Sequence, residues 1–289
     1  MRRIGVCFIL LAAAALAQPP LAERVARKDP SKYRQAKRVH GGAGELHYMG
    51  MFDAQALGTN LLFLHRGVLP PNGGIGHHFH NEMEEMFVIF DGEAEFTING
   101  RTSRLAGPAG APCPMRHSHA IYNHTDKPVE WMNIAVSSVK GKYDAFDLGD
   151  DRVGVPLEKT PVFMTMRLDR ERLQPVQGLN GGKGTARYRR VLASEVFVTN
   201  WSYVDHILLP PGASIGSHLH RGVEEFYYVM NGEGVARVNQ ESVNIRKDDA
   251  VPVRLSEVHS FENTGRGDLE FMVVGIASRK GALDTTDVK

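Results

Sequence analysis

The sequence predicts an all-β protein made of two tandem jelly-roll β-barrels related by internal duplication. Three observations predict it. His78, His80, Glu85 and His119 recur as His218, His220, Glu225 and His259, each 140 positions later (218 minus 78, and likewise for the other three). Short runs rich in aromatic and β-branched residues alternate with tight-turn signals, and no long helical period appears inside either copy. The length of 289 residues suits about two domains, and the period is far too long for a solenoid.

The duplication reaches beyond these four positions. Tyr48 matches Tyr188, Thr59-Asn60 matches Thr199-Asn200, and Leu69-Pro70-Pro71 matches Leu209-Pro210-Pro211. Ile75-Gly76, Gly92-Glu93 and Asn123 recur as Ile215-Gly216, Gly232-Glu233 and Asn263, so no net insertion separates the copies from Tyr48 to Val136. The expected organisation is a first barrel at 45–140, a connection at 141–184, a second barrel at 185–280 and a tail at 281–289. Within each barrel, Met86–Phe90 and Phe226–Met230 read as strands ending in Asp91-Gly92 and Asn231-Gly232 turns. Ala94, Phe96 and Ile98 alternate towards an Asn99-Gly100 turn, and Trp131–Val136 and Phe271–Ile276 read as final core strands. Many short strands at regular spacing argue for a closed barrel or jelly roll. The connection contains a charged, helix-compatible piece from Leu168 to Leu173 and an irregular glycine run without the phosphate-loop pattern.

Residues 1–17 read as a secretory signal peptide: Arg2-Arg3, an apolar run from Ile4, and Ala15-Leu16-Ala17 before Gln18. The run is shorter than the ~20 residues of a membrane span, so an exported, periplasmic or secreted protein with no membrane span after signal removal is expected. Residues 18–44 are locally basic and read as a solvated arm or basic surface helix. The formal net charge of +1 offers no global field for nucleic acid. Cys7 leaves with the signal, and Cys113, flanked by Pro112 and Pro114 and replaced by Val253 in the second copy, reads as packing rather than as a nucleophile.

The histidine spacing carries chemistry. Side chains on a strand alternate, so His78 and His80 point to one face, as do His218 and His220. Glu85 or Glu225 on the next strand and His119 or His259 on a remote one complete three imidazoles and a carboxylate. This donor set suits one divalent ion per barrel, such as manganese, iron, nickel or zinc, and in a six-coordinate ion it leaves two positions open. By the same alternation His77, Glu84 and Glu224 face away from the metal, at the barrel surface or rim.

Gly212, His218, His220, Glu225 and Gly232 stand at the spacing of the first motif of the cupin superfamily, and Pro252, His259 and Asn263 resemble its second motif. The first copy matches with His78, His80, Glu85, Gly92, His119 and Asn123, but has Asn72 where the leading glycine is expected. The second motif lacks the usual glycine after its proline in both copies. The resemblance covers most of 45–139 and 185–279. It implies a bicupin with a metal in each barrel, held by those eight residues.

Two positions before the last ligand stand His117 and Glu257, candidate acid–base or supporting groups. Tyr227 is an inward candidate whose commoner use is core packing. Cupins include dioxygenases, decarboxylases, isomerases, hydrolases and proteins without activity, so fold does not name the reaction. Oxalate decarboxylases of this family typically carry an arginine three residues ahead of the first ligand histidine. Ile75 and Ile215 stand there and predict a more apolar mouth, with Arg66 or His206 as alternative polar groups. The expected function is a metalloenzyme acting on a small oxygen-rich molecule by oxygen-dependent cleavage or decarboxylation. Alternatives are a metal or ligand storage protein and a sugar isomerase or epimerase. A homodimer is compatible with the family.

Overall fold

Strand-forming sequence dominates the chain, and the computed structural model, which describes residues 18–288, is built almost entirely of antiparallel strands. The signal-peptide reading of 1–17 lies outside the described residues. Among the described residues the strands form four sheets, two of seven strands and two of five. Each barrel pairs one seven-stranded with one five-stranded sheet. The predicted strands appear as Met83–Ile89, Glu93–Ile98 and Val129–Ser137 in barrel 1, and as Val223–Asn231 and Leu269–Ala277 in barrel 2. Asn99 and Gly100 both take positive φ, 49° and 74°, as a tight hairpin requires. Asn72 takes the place of the motif glycine because asparagine also tolerates the left-handed region: its φ is 60°, against 78° for Gly212.

Pairing between remote segments departs from the expected boundaries. Strand Ala26–Arg27 does not join barrel 1; it pairs with Asp249–Val253 of barrel 2. Reciprocally, Met166–Arg167 pairs with Ala109–Cys113 of barrel 1. These strands are themselves 140 positions apart, so each copy lends its first strand to the other barrel. The duplication therefore begins near residue 26. It also runs on past Val136, because Phe146–Asp147 and Thr286–Asp287 add to equivalent strands carrying His78 and His218. The stretch 141–184 is divided between the barrels instead of separating them, and its helix-compatible piece forms only a short 3-10 turn, Arg170–Arg172.

The arm at 18–44 is docked, not solvated. Leu21 and Val25 are buried in the core of barrel 2, and Arg34–Lys37 forms the edge strand of barrel 1. Its basic residues meet acids remote in sequence: Arg24 with Glu257, Arg27 with Asp249, Lys28 with Glu130. Local composition cannot report such partners, so the stretch looked like a free basic segment.

The barrels share one continuous apolar core that includes Met86, Val88 and Ile134 from one side and Trp201, Phe226 and Val274 from the other. Outward faces of each barrel thus become an interior. Glu84 and Glu224, expected at a rim, are buried there at 1% and 2% exposure. Glu84 accepts hydrogen bonds from the backbone of Val198 and Thr199, and Glu224 accepts from the backbone of Thr59. Arg66 and His206 also lie in this interface, not at the metal sites: Arg66 binds the Tyr228 hydroxyl and Glu130, and His206 binds Glu270. No described helix is long and apolar enough to cross a membrane.

Candidate metal centres

The two predicted donor sets converge. In each barrel the three imidazoles and the carboxylate bring one donor atom apiece within 4.8 Å of one another, all buried. Strand register explains this: His78 lies opposite His119, and His218 opposite His259, on neighbouring strands of the five-stranded sheets. In barrel 1, Nε2 of His119 is 3.0 Å from Nε2 of His78 and 3.1 Å from that of His80. Glu85 Oε2 is 2.9 Å from His80 Nε2 and 3.6 Å from His119 Nε2. In barrel 2, Glu225 Oε2 lies 3.1 Å from His259 Nε2 and 3.3 Å from His220 Nε2.

The outer ring nitrogens decide what the inner ones present. The Nδ1–H groups of His78 and His80 donate to the carbonyls of Gly76 and Asp144, at 2.8 and 2.7 Å. His218, His220 and His259 donate likewise to Gly216, Asp284 and Glu257. A carbonyl only accepts, so these contacts place the proton on Nδ1 and turn the Nε2 lone pair inward. Nε2 atoms converging within about 3 Å of one another and of a carboxylate call for a cation among them, a metal ion or the proton that the metal displaces. The residues present therefore fit a divalent metal ion in each barrel.

Without metal, a proton held between imidazole and carboxylate takes the cation's place. Burial opposes ionisation of Glu85, but hydrogen bonds from His119, His78 and His80 outweigh it and hold the carboxyl well below its usual range. Glu225 is held down in the same way by His220 and His259. Burial, then His78, pushes His119 down to about 3. Burial, then His259, pushes His218 down to about 4. Burial also disfavours charge on His220, yet its bond to Glu225 wins and lifts it to about 9.

Neither His117 nor Glu257 joins the converging donors. His117 is partly buried, and its Nδ1–H donates to the Met115 carbonyl at 2.9 Å. Glu257 precedes the strand His259–Glu262, where alternation no longer holds, and its carboxylate binds Arg24 at 2.6 and 3.0 Å. Its backbone carbonyl, not its side chain, steadies His259. His77 does turn away from the metal, but it is buried, bonded to Ser118 at 2.8 Å. Cys113 is buried and burial raises its thiol pKa, which suits a packing residue.

The surroundings of the two centres differ. In barrel 1 a cavity of about 380 Å³ runs down to Glu85 between Val39, Leu46, Phe63, Ile75, Trp131 and the half-exposed Tyr143, with His40, His65 and Asn133 also in its wall. Asn133 donates to Glu85, while its own buried Oδ1 has no partner among the described residues. His40 stacks on His78 at 3.9 Å. In barrel 2 the equivalent space shrinks to about 110 Å³. Tyr203, at the place of Phe63, donates to Glu225 at 2.7 Å, and Tyr227, at the place of Phe87, donates at 3.1 Å. Asp205, at the place of His65, is clamped by Arg190 at 2.9 and 3.0 Å. His40, His65, Asn133, Tyr203 and Asp205 escaped the sequence reading. The available signal was period two: His65 and Asp205 are the inward neighbours of Arg66 and His206.

The Cupin domain model matches residues 65–135 and 205–275. Over 99 residues the chain is 38% identical to the oxalate-binding protein of Thermotoga maritima, covering 34% of this chain and 82% of that one. The chain belongs to the cupin family, as a bicupin. A second relative, the tetracenomycin polyketide synthase protein TcmJ of Streptomyces glaucescens, is 33% identical over 90 residues, 30% of this chain and 60% of that one. Among solved structures, oxalate decarboxylase of Lactobacillus farciminis superposes with a TM-score of 0.64 at 16% identity, covering 91% of this chain and 88% of that one. The Bacillus subtilis oxalate decarboxylase gives 0.62 at 17% identity, with 91% and 78% covered. At such identity these two describe the bicupin fold alone.

Proposed function

We propose that this bicupin is an exported, divalent-metal-dependent enzyme of the decarboxylase or oxygen-dependent cleavage type, with barrel 1 as the seat of turnover. The cavity that reaches Glu85 in barrel 1, and its filling by Tyr203, Tyr227 and the Arg190–Asp205 pair in barrel 2, carries this reading. His78, His80, Glu85 and His119 would hold the catalytic ion; His218, His220, Glu225 and His259 would hold a second, enclosed one. A bound divalent ion supplies Lewis acidity that stabilises an anionic form of the substrate. Asn133 orients Glu85, His40 backs His78, and the apolar wall excludes water. Manganese is favoured by the Mn(II) centres of the Bacillus subtilis oxalate decarboxylase, whose fold this chain shares.

The test is elemental analysis of protein from its native compartment, followed by oxygen-uptake and carbon-dioxide-release assays over a panel of hydroxy-acids, keto-acids, diols and oxalate. Expected are two ions per chain and a turnover abolished by His119→Ala but retained by His259→Ala. Loss of turnover only with the second variant would refute the assignment to barrel 1. Binding without turnover is the second reading, favoured by the relative that is an oxalate-binding protein; tight ligand binding with no product from any of the panel would establish it. Export predicts a mature chain beginning at Gln18, read by intact-mass measurement.

A further inference from the structure

Resting on barrel 1 as the ligand site, we infer that its ligand chelates the metal as a monoanion through two adjacent oxygens, a hydroxy-ketone or enediol on an apolar or aromatic body, and that oxalate is disfavoured. Charge is the first argument. Among the described residues no lysine or arginine lines the barrel 1 cavity. A divalent ion with the Glu85 carboxylate keeps one net positive charge, which a monoanion cancels. The oxalate dianion leaves a net negative charge in an apolar enclosure whose described lining holds no lysine or arginine, a costly arrangement.

Size and polarity agree. Four protein donors leave two places in a six-coordinate ion, enough for one chelating pair. The cavity of about 380 Å³ is far larger than a molecule of two carbons and four oxygens needs, and Phe63, Trp131, Tyr48 and Leu46 line it. Small-molecule sites are commonly apolar clefts with a few placed polar groups. Here those groups are His65 and Asn133, with the ring of His40 and the phenols of Tyr48 and Tyr143 also in the wall. The His65 ring stacks on Phe63 at 4.2 Å, and among the described residues nothing hydrogen-bonds it. Burial, the main cause, pushes His65 down to about 4, so near neutral pH it is uncharged and can donate or accept. His65 can donate to a bound oxygen, Asn133 Oδ1 can accept from a hydroxyl of the ligand, and neither carries charge to hold a second carboxylate. Barrel 2 has lost this room to Tyr203, Asp205 and Arg190.

The experiment titrates manganese-reconstituted full-length protein separately with tropolone, a flat monoanionic chelator, and with oxalate. Binding is followed by near-ultraviolet absorption and calorimetry, and metal content is measured after each titration. Tropolone is expected to bind once per chain, at least about tenfold more tightly than oxalate. Val39→Trp, which fills the barrel 1 cavity without touching a ligand, should weaken tropolone by at least about tenfold with metal retained, and His65→Leu by about tenfold, the loss of one hydrogen bond to a buried group. Leu179→Trp, the equivalent change in barrel 2, should leave binding unaltered. Oxalate binding as tightly as tropolone, or tropolone binding indifferent to both Val39→Trp and His65→Leu, overturns the ligand class while leaving a metal centre in place. Absence of metal from barrel 1, read as unchanged metal content on Glu85→Gln, instead overturns the reading of the site itself.

Discussion

Tyr203 donates a 2.7 Å hydrogen bond to Oε1 of the metal-binding carboxylate Glu225, from the place that Phe63 fills in barrel 1. Tyr227 reaches the other carboxylate oxygen, so barrel 2 fixes its carboxylate with two phenols where barrel 1 uses one amide, Asn133. Groups that orient a ligand contribute strongly to metal affinity. Tyr203→Phe is therefore expected to weaken metal binding in barrel 2 by about tenfold or more while barrel 1 is unchanged. Equilibrium dialysis on His119→Ala protein, which reports barrel 2, checks this; unaltered affinity would count against the role given to the phenol.

Metal binding should expel protons. Before metal enters, His220 is lifted from 6.5 to about 9 by its bond to Glu225 and carries a proton at pH 7.5, whereas the ligating form is neutral. Burial opposes charge on His80 too, but its bond to Glu85 raises it in the same sense. Calorimetric titration of metal-free protein in buffers of different ionisation enthalpy is expected to find about one proton released per ion bound in barrel 2. No dependence on the buffer would contradict a protonated His220.

The same shift sets a pH dependence for the metal-free fold. A histidine whose folded pKa is raised contributes stability that is complete below its unfolded value, near 6.5, and disappears as pH climbs through about 9. Metal-free protein should accordingly lose stability between these values in urea unfolding. His220→Asn should flatten that decline. At the acid end, Glu225, held down by its histidines, contributes stability above its ordinary 4.5 that is lost as pH falls through its lower folded value.

Arg24 ties the N-terminal arm to barrel 2 through Glu257, with both side chains under 10% exposed. Removing one partner leaves a buried charge unanswered. Arg24→Ala is expected to cost about 3 kcal/mol, measured by urea denaturation, and Glu257→Gln on the same background to recover part of it. Because the Glu257 carbonyl also receives His259 Nδ1–H at 3.0 Å, Arg24→Ala should weaken metal in barrel 2 as well. An exposed, inert pair would show neither effect.

Glu84 and Glu224 sit in matching places across the barrel interface. Glu84 accepts two backbone hydrogen bonds, and Glu224 one, from a loop of the opposite barrel. Glu84→Ala leaves the Val198 and Thr199 amides without their acceptor at a buried site, at an expected cost of about 2–3 kcal/mol. Differential scanning calorimetry should show the single transition broadening or splitting as the barrels uncouple; an unchanged transition would refute the coupling.

The sequence by itself determined the duplication, the β class and the eight converging donors, because each follows from a short repeating pattern: period-two alternation aims His78 with His80, and the constant offset repeats the set. The apolar mouth expected at both isoleucines is present at Ile75 but not at Ile215, where Arg190 and Asp205 line the space. Tertiary structure alone decided which outward residues become interior. Glu84 and Arg66 alternate away from the metal like any surface residue, and only the docking of a second barrel buries them. The exchange of strands Ala26–Arg27 and Met166–Arg167 rests on pairings more than fifty residues apart that leave no local trace. The contrast between the open centre and the filled one was likewise out of reach, since it depends on where Tyr203, Asp205 and Arg190 meet in space, and side-chain volume acts through packing rather than through spacing along the chain.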